Sequence, residues 1–177
     1  GRLNGWFIET SAVGTATRPV IKDVYRPGFG QEALLHQAKV AVQNGVTTVA
    51  DMGWGFESFE REWDDHMAVV NQPDFPLRIL MTPLEARLNG KYGDDALDYL
   101  KSMASQGTDK LSVHGVKFIN DGSYPSMTLR LNFPGYLDGE VGLTGETPWA
   151  EMVARMLPYW QAGMHIHSHA NGDETVD

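Results

Sequence analysis

The chain has 177 residues, and its composition excludes several classes of protein before any motif is considered. Hydrophobic residues make up 42% and charged residues 21%, which is ordinary for a folded domain and too apolar for a disordered chain. The net charge of −9 argues against a nucleic-acid partner, because neutralising phosphates requires clustered lysine and arginine. The sequence has no cysteine, which excludes disulfides and thiolate zinc sites.

No segment of the sequence predicts insertion into a membrane. No apolar run approaches the roughly 20 residues that a membrane-spanning helix needs. Because no signal peptide is visible, we expect a cytoplasmic protein. An N-terminus that begins Gly1-Arg2-Leu3 without methionine also fits the removal of a signal.

The predicted elements begin after an irregular segment, residues 1–30, which shows little periodicity. From Gln31, apolar residues at helical spacing predict a helix that ends at Asn44-Gly45. The next five residues, 46–50, are short, apolar and β-branched, and predict a buried strand. Asp51 is expected to mark the carboxyl end of that strand.

The same unit of a helix followed by a strand recurs along the rest of the chain. Further helices are predicted at about 58–70, 94–105 and 148–162, the last one capped by Thr147, and further strands at 77–81, 113–119 and after Gly163. Residues 120–146 are rich in Gly, Pro and Asn and predict a surface excursion. This alternation predicts an α/β fold with a parallel sheet and right-handed crossovers. Four strands cannot close an eight-stranded barrel, so we expect either a small open sheet or part of a barrel.

Three of the six histidines alternate along the last predicted strand, which puts them on one face of the sheet. His169 lies at the carboxyl end beside a Gly-Asp turn, where a histidine suits a metal ligand or a general base. The alternative is a histidine bonded to the backbone. His165 lies deeper in the strand, and we expect it to be structural.

Lys117 lies in the middle of a predicted buried strand, where a lysine is costly unless it is paired or modified. One explanation is a salt bridge to Asp51, Asp121 or another carboxylate. The other is carboxylation by carbon dioxide, which makes an anionic carbamate that can bridge two metal ions. Asp51, Asp121 and Asp173 each follow a predicted strand, at the edge where sites form in parallel sheets. Each of them also suits a turn or a helix cap.

Three segments of the chain resemble motifs of one family, the family-3 amidohydrolases. Residues 44–51, Asn-Gly-Val-Thr-Thr-Val-Ala-Asp, resemble its G-V-T-T-V-x-D strand. Residues 115–123 resemble its G-x-K-x-x-x-D-G-S segment, and residues 167–173 resemble its x-H-A-x-G-D segment. The three occur in the family's order, and the resemblance runs from about Arg26 to the last residue. It is nearest to the branch that includes N-substituted formamide deformylases.

The resemblance implies that residues 31–177 are part of a (β/α)8 TIM barrel, approximately strands two to five with their helices. It implies that Lys117 is the carboxylated lysine ligand and His169 the strand-five histidine ligand of one or two divalent metal ions. Zinc is the first expectation, and iron or manganese would fit as well. The implied activity is hydrolysis of an amide-type C–N bond in a small molecule, with a metal-activated water attacking the carbonyl.

The family's other metal ligands have no match in the chain. These are a His-x-His pair on the first strand, a histidine on the sixth strand and an aspartate on the eighth, the expected general base. We therefore expect an internal fragment that is inactive alone, and assign it no catalytic residue. Its unpaired outer strands favour association with missing segments of the same parent chain or with another copy. The alternatives are a small open α/β binding or assembly module without catalysis, and an unrelated barrel hydrolase without a modified lysine.

Overall fold

The computed structural model describes residues 5–145 and 148–177. The α-helices in chain order are α1 Glu9–Val24, α2 Phe29–Gln43, α3 Phe59–Val70, α4 Glu85–Tyr92, α5 Ala96–Ala104, α6 Trp149–Gln161 and α7 Asp173–Val176. A 3-10 turn, Gly93–Asp95, joins α4 to α5. The strands are β1 Thr48–Trp54, β2 Arg78–Pro83, β3 Leu111–Val113, β4 Gly115–Ile119 and β5 His165–His169.

All the strand pairs are parallel, which confirms the prediction of a mixed α/β fold with a parallel sheet. β1 pairs with β2, β2 with β3, and β4 with β5. The two groups of strands meet at His114, whose N–H donates to the Met81 carbonyl at 3.4 Å. Leu84, directly after β2, forms a parallel bridge with Lys117 of β4. β3 and β4 therefore lie end to end beside β2. The strands follow one another across the sheet in chain order, with β1 at one side and β5 at the other.

The hydrophobic core lies between the helices and one face of the sheet. The strand residues of this core alternate with residues on the other face, as a pleated strand requires. Those that are buried are Ile79, Met81, Leu111, Val113, Val116 and Phe118. Trp54 is fully buried at the end of β1, where its indole N–H donates to the Phe59 carbonyl at 3.0 Å. The opposite face of the sheet is left to polar and charged side chains on β4 and β5.

Residues 1–30, predicted to be irregular, contain the helix α1, Glu9–Val24. Val13, Thr17 and Ile21 lie four residues apart and line a groove of about 620 Å³ opposite Phe56. The helical spacing is therefore present, but only two of these three residues are strongly apolar. A weakly apolar helix face gives little periodicity in the sequence.

The helix α4, Glu85–Tyr92, is a second one that the sequence pattern does not predict. Its buried residues are Glu85 and Leu88, so it has almost no apolar stripe of its own. Its first residue, Glu85, is held from α6 by the guanidinium of Arg155. A contact between residues 70 positions apart is invisible to a local pattern.

The strand predicted over residues 113–119 is divided at His114, and β1 continues past Asp51 to Trp54. The second difference matters for function, because Asp51 does not lie at the strand's carboxyl end. It pairs in register with the buried Met81, so it lies on the helix-covered face.

The long segment predicted to be a surface excursion is described as far as Gly145, and that part contains no helix. It is not wholly superficial, because Asn120, Asp121 and Thr128 are buried. Thr147, the predicted cap of α6, lies outside the described residues. Within the described ranges, no helix combines the length and the apolar character that crossing a bilayer requires.

Candidate functional site

β4 and β5 bring Lys117 and the strand histidines to the same face of the sheet. Lys117 pairs in register with His167, and Ile119 pairs with His169. Val116 and Phe118 alternate with these positions and are buried in the core. Lys117, His167 and His169 therefore lie on the face opposite the helices.

Lys117 is half-buried, and burial lowers the pKa of its ammonium group. Within the described ranges, no side chain or carbonyl forms an ion pair or hydrogen bond with the Lys117 ammonium group. The two carboxylates considered as its partners, those of Asp51 and Asp121, are bound elsewhere. The predicted salt bridge to either of them is therefore not formed.

Asp51 lies outside the group of residues around Lys117. Its carboxylate is 3.7 Å from the His66 Nε2 on α3 and accepts the Gly53 N–H at 2.9 Å. The prediction of Asp51 as a polar residue at the strand's rim is wrong, because the strand continues for three more residues and turns this side chain toward α3.

His169 is bonded to the backbone, as the alternative explanation of this residue required. Its Nε2 is 2.8 Å from the Gly122 carbonyl oxygen, 2.8 Å from the Asn171 Nδ2 and 3.6 Å from the Asp121 Oδ1. Metal binding through Nε2 would have to replace the bond to Gly122, whereas Nδ1 has no hydrogen-bond partner in the described part of the chain. His169 thus has one ring nitrogen in a structural hydrogen bond and one that is available to bind a metal ion.

Asp121 organises the carboxyl ends of β4 and β5. Its side chain is fully buried and accepts the backbone N–H groups of Asn171 at 3.1 Å and Gly172 at 2.6 Å. The Thr175 hydroxyl donates to it at 3.1 Å. A Cβ at Gly172 would lie 1.8 Å from the Arg130 carbonyl oxygen, so only glycine fits this position. Asp121 is therefore a structural acceptor that holds the start of α7.

Asp173 is also used structurally, as the turn or helix-cap alternative for this residue required. Its Oδ1 accepts the Asn132 N–H at 2.9 Å and the Glu174 N–H at 3.0 Å. Through its bonds to Asn171 and Gly172, Asp121 holds two motif segments, residues 115–123 and 167–173, against each other. The sequence identified each segment separately but not the contact between them.

His167 is the residue that sequence reasoning passed over. It lies directly opposite Lys117, and its pKa is lowered by burial and then by the charges of His165, Lys117 and His114. The sequence signal for His167 is the alternation of histidines along the strand, but its pairing with Lys117 leaves no local signal. Within residues 5–145 and 148–177, no three His, Cys, Asp or Glu side chains are arranged to hold a metal ion.

The fold is similar to one part of two larger solved structures. One is an uncharacterised metal-dependent hydrolase from Pyrococcus horikoshii OT3, with a TM-score of 0.72 and 18% identity over 96% of this chain. The other is an uncharacterised metal-dependent hydrolase from Pyrococcus furiosus, with a TM-score of 0.71 and 19% identity, again over 96%. This chain spans only 33% and 34% of their lengths. No protein-family model matches the sequence, and no curated protein matches it.

Proposed function

We propose that this chain is part of a metal-dependent hydrolase of amide-type C–N bonds, to which residues 31–177 contribute strands two to five of a (β/α)8 barrel. One observation carries the proposal. Lys117 is half-buried without an ionic partner in the described ranges, on the same sheet face as His167 and His169. The resemblance of three segments to family-3 amidohydrolases supports the amide specificity, and the fold of the two Pyrococcus hydrolases supports the general class.

In this proposal Lys117 and His169 hold a divalent metal ion, with His167 as a further imidazole beside them. Carbon dioxide reacts with the neutral lysine amine to give a carbamate and one proton, and burial of Lys117 favours the neutral amine. Carbamate oxygen and imidazole nitrogen together suit zinc, iron or manganese. A metal ion bound there would supply an activated water molecule and would polarise the carbonyl of a small amide substrate.

In this proposal other polypeptide supplies the remaining ligands and the general base; the described residues contain no group of three ligating side chains. The cytoplasmic location stays a prediction. We expect the 177-residue chain alone to hydrolyse no N-formyl or N-acyl amine when zinc, manganese or iron is added. Turnover by this chain that a chelator abolishes would contradict the proposal that its site is incomplete.

The carbamate is tested by carbon-13 NMR of the chain with zinc and labelled bicarbonate. We expect a carbamate signal that disappears in Lys117→Arg, because the guanidinium stays protonated and does not react. Lys110→Arg is the matched control, since Lys110 donates to the Phe75 carbonyl and lies away from the site. A missing signal in the unaltered chain, or one that survives Lys117→Arg, would overturn the assignment.

The bond between His169 and Gly122 favours a second candidate, a small α/β binding or assembly module without catalysis. In such a module His169 is purely structural. His169→Gln would then lower stability in urea without changing zinc affinity, whereas the hydrolase proposal requires zinc affinity to fall.

A further inference from the structure

We propose that His114 and His165 form a separate metal site, selective for copper, nickel or zinc, where β4 and β5 begin. Their imidazole ring centroids are 4.0 Å apart, with 47° between the ring planes. His169 follows His165 by four positions, which is about 13 Å along a strand. The pair is therefore distinct from the site at Lys117 and His169.

Both rings are available for a ligand. His114 and His165 are exposed. Within residues 5–145 and 148–177, none of their four ring nitrogens has a hydrogen-bond partner. These surroundings do not support the expectation that His165 is structural.

The backbone holds the two histidines in place before any ion binds. The His165 N–H donates to the His114 carbonyl at 3.2 Å, and the His114 N–H donates to the Met81 carbonyl. Gly115 lies between them in the sheet, and a Cβ there would come within 2.9 Å of the His165 Cβ. The missing side chain leaves room for the His165 ring to approach His114, so binding orders few additional groups.

The chemistry of the pair selects the kind of ion. Imidazole nitrogens bind at about 2.0–2.1 Å, and rings already in contact need only side-chain rotation to direct one nitrogen each at a shared ion. Ligation by imidazole suits copper, nickel and zinc, whereas magnesium and calcium prefer oxygen. Water completes the coordination of an ion held by the two rings. The nearby Lys117 ammonium opposes a cation, so we expect modest affinity.

The test is titration of the 177-residue chain with Cu²⁺, with electron paramagnetic resonance to count the bound nitrogens. We expect His114→Gln and His165→Gln each to weaken Cu²⁺ binding by ~10-fold or more. The double variant should bind no more weakly than either single variant, because the two rings act as one chelate. His36→Gln, on the exposed face of α2, is the matched control and should change nothing.

Single variants that bind Cu²⁺ like the unaltered chain would overturn the proposal, as would an equal loss in His36→Gln. Lys117→Arg and His169→Gln should keep Cu²⁺ binding at the pair, which separates this outcome from that of the proposed hydrolase site. Circular dichroism checks that each variant is folded. As a test without variants, Cu²⁺ should protect His114 and His165 from diethyl pyrocarbonate, and unprotected modification of both would contradict the site.

Discussion

At the scale of single residues, the buried carboxylate of Asp121 holds together the ends of β4 and β5. It accepts the N–H groups of Asn171 and Gly172 and the Thr175 hydroxyl. Hydrogen bonds to a charged acceptor are stronger than neutral ones, and losing them leaves buried donors unpaired. Asp121 therefore positions the chain around His169.

We expect Asp121→Asn to lower the free energy of unfolding by about 1.5–3 kcal/mol, because an amide presents its own N–H₂ group to these donors. Urea unfolding monitored by tryptophan fluorescence measures the change. Asp98→Asn is the control, since the Asp98 side chain is 82% exposed and pairs only at the surface with Lys101. Equal midpoints for the two variants would mean that Asp121 is not an anchor of this region.

At the scale of elements, α4 depends on α6 for its place in the fold. The Glu85 side chain is only 2% exposed and forms two bonds with the Arg155 guanidinium, one of them 3.1 Å long. The nearby Glu85 charge also adds to the effect of burial in raising the pKa of Tyr159 to about 12. This ion pair links α4 to α6, although α4 has few apolar residues of its own.

We expect Arg155→Ala to cost about 3 kcal/mol, because it leaves the Glu85 carboxylate buried without its guanidinium. Glu85→Ala should cost less, since Arg155 is 21% exposed and can turn toward water. Both are measured by urea unfolding, with Lys101→Ala as the exposed-pair control, for which we expect about 0–1 kcal/mol. A larger cost for Glu85→Ala than for Arg155→Ala would contradict this order.

At the scale of the whole molecule, one edge of the fold exposes apolar surface. β5 pairs with β4, and the described residues provide no strand on its other side. On the adjacent helix α6, Val153 is 74% exposed, Leu157 45% and Trp160 68%. An unpaired strand beside a contiguous apolar patch favours association.

We expect the chain to self-associate as its concentration rises, and Trp160→Lys to weaken this association by placing a charge in the patch. Sedimentation velocity over a concentration series measures it. Leu137→Lys is the matched control, because Leu137 is fully exposed and is not part of α6. Sedimentation that is independent of concentration, or an equal effect of both variants, would mean that the patch does not mediate association.

The sequence by itself determined the alternation of helices and strands and the parallel sheet. β1, β2 and β5 and the helices α2, α3, α5 and α6 were predicted within a few residues, because their apolar periodicity and flanking turns are local. The alternation of His165, His167 and His169 on one face also followed from sequence spacing alone. Local patterns sufficed wherever a segment's own side chains decide its conformation.

Only the tertiary structure decided which of these residues meet. The register of β4 against β5 puts His167 opposite Lys117, and the register of β1 against β2 puts Asp51 on the other face. The helix α4 and the anchoring of Asp121 likewise depend on partners 50 or more positions away. Strand register and buried ion pairs are set by contacts that close long loops, and no window along the chain contains both partners.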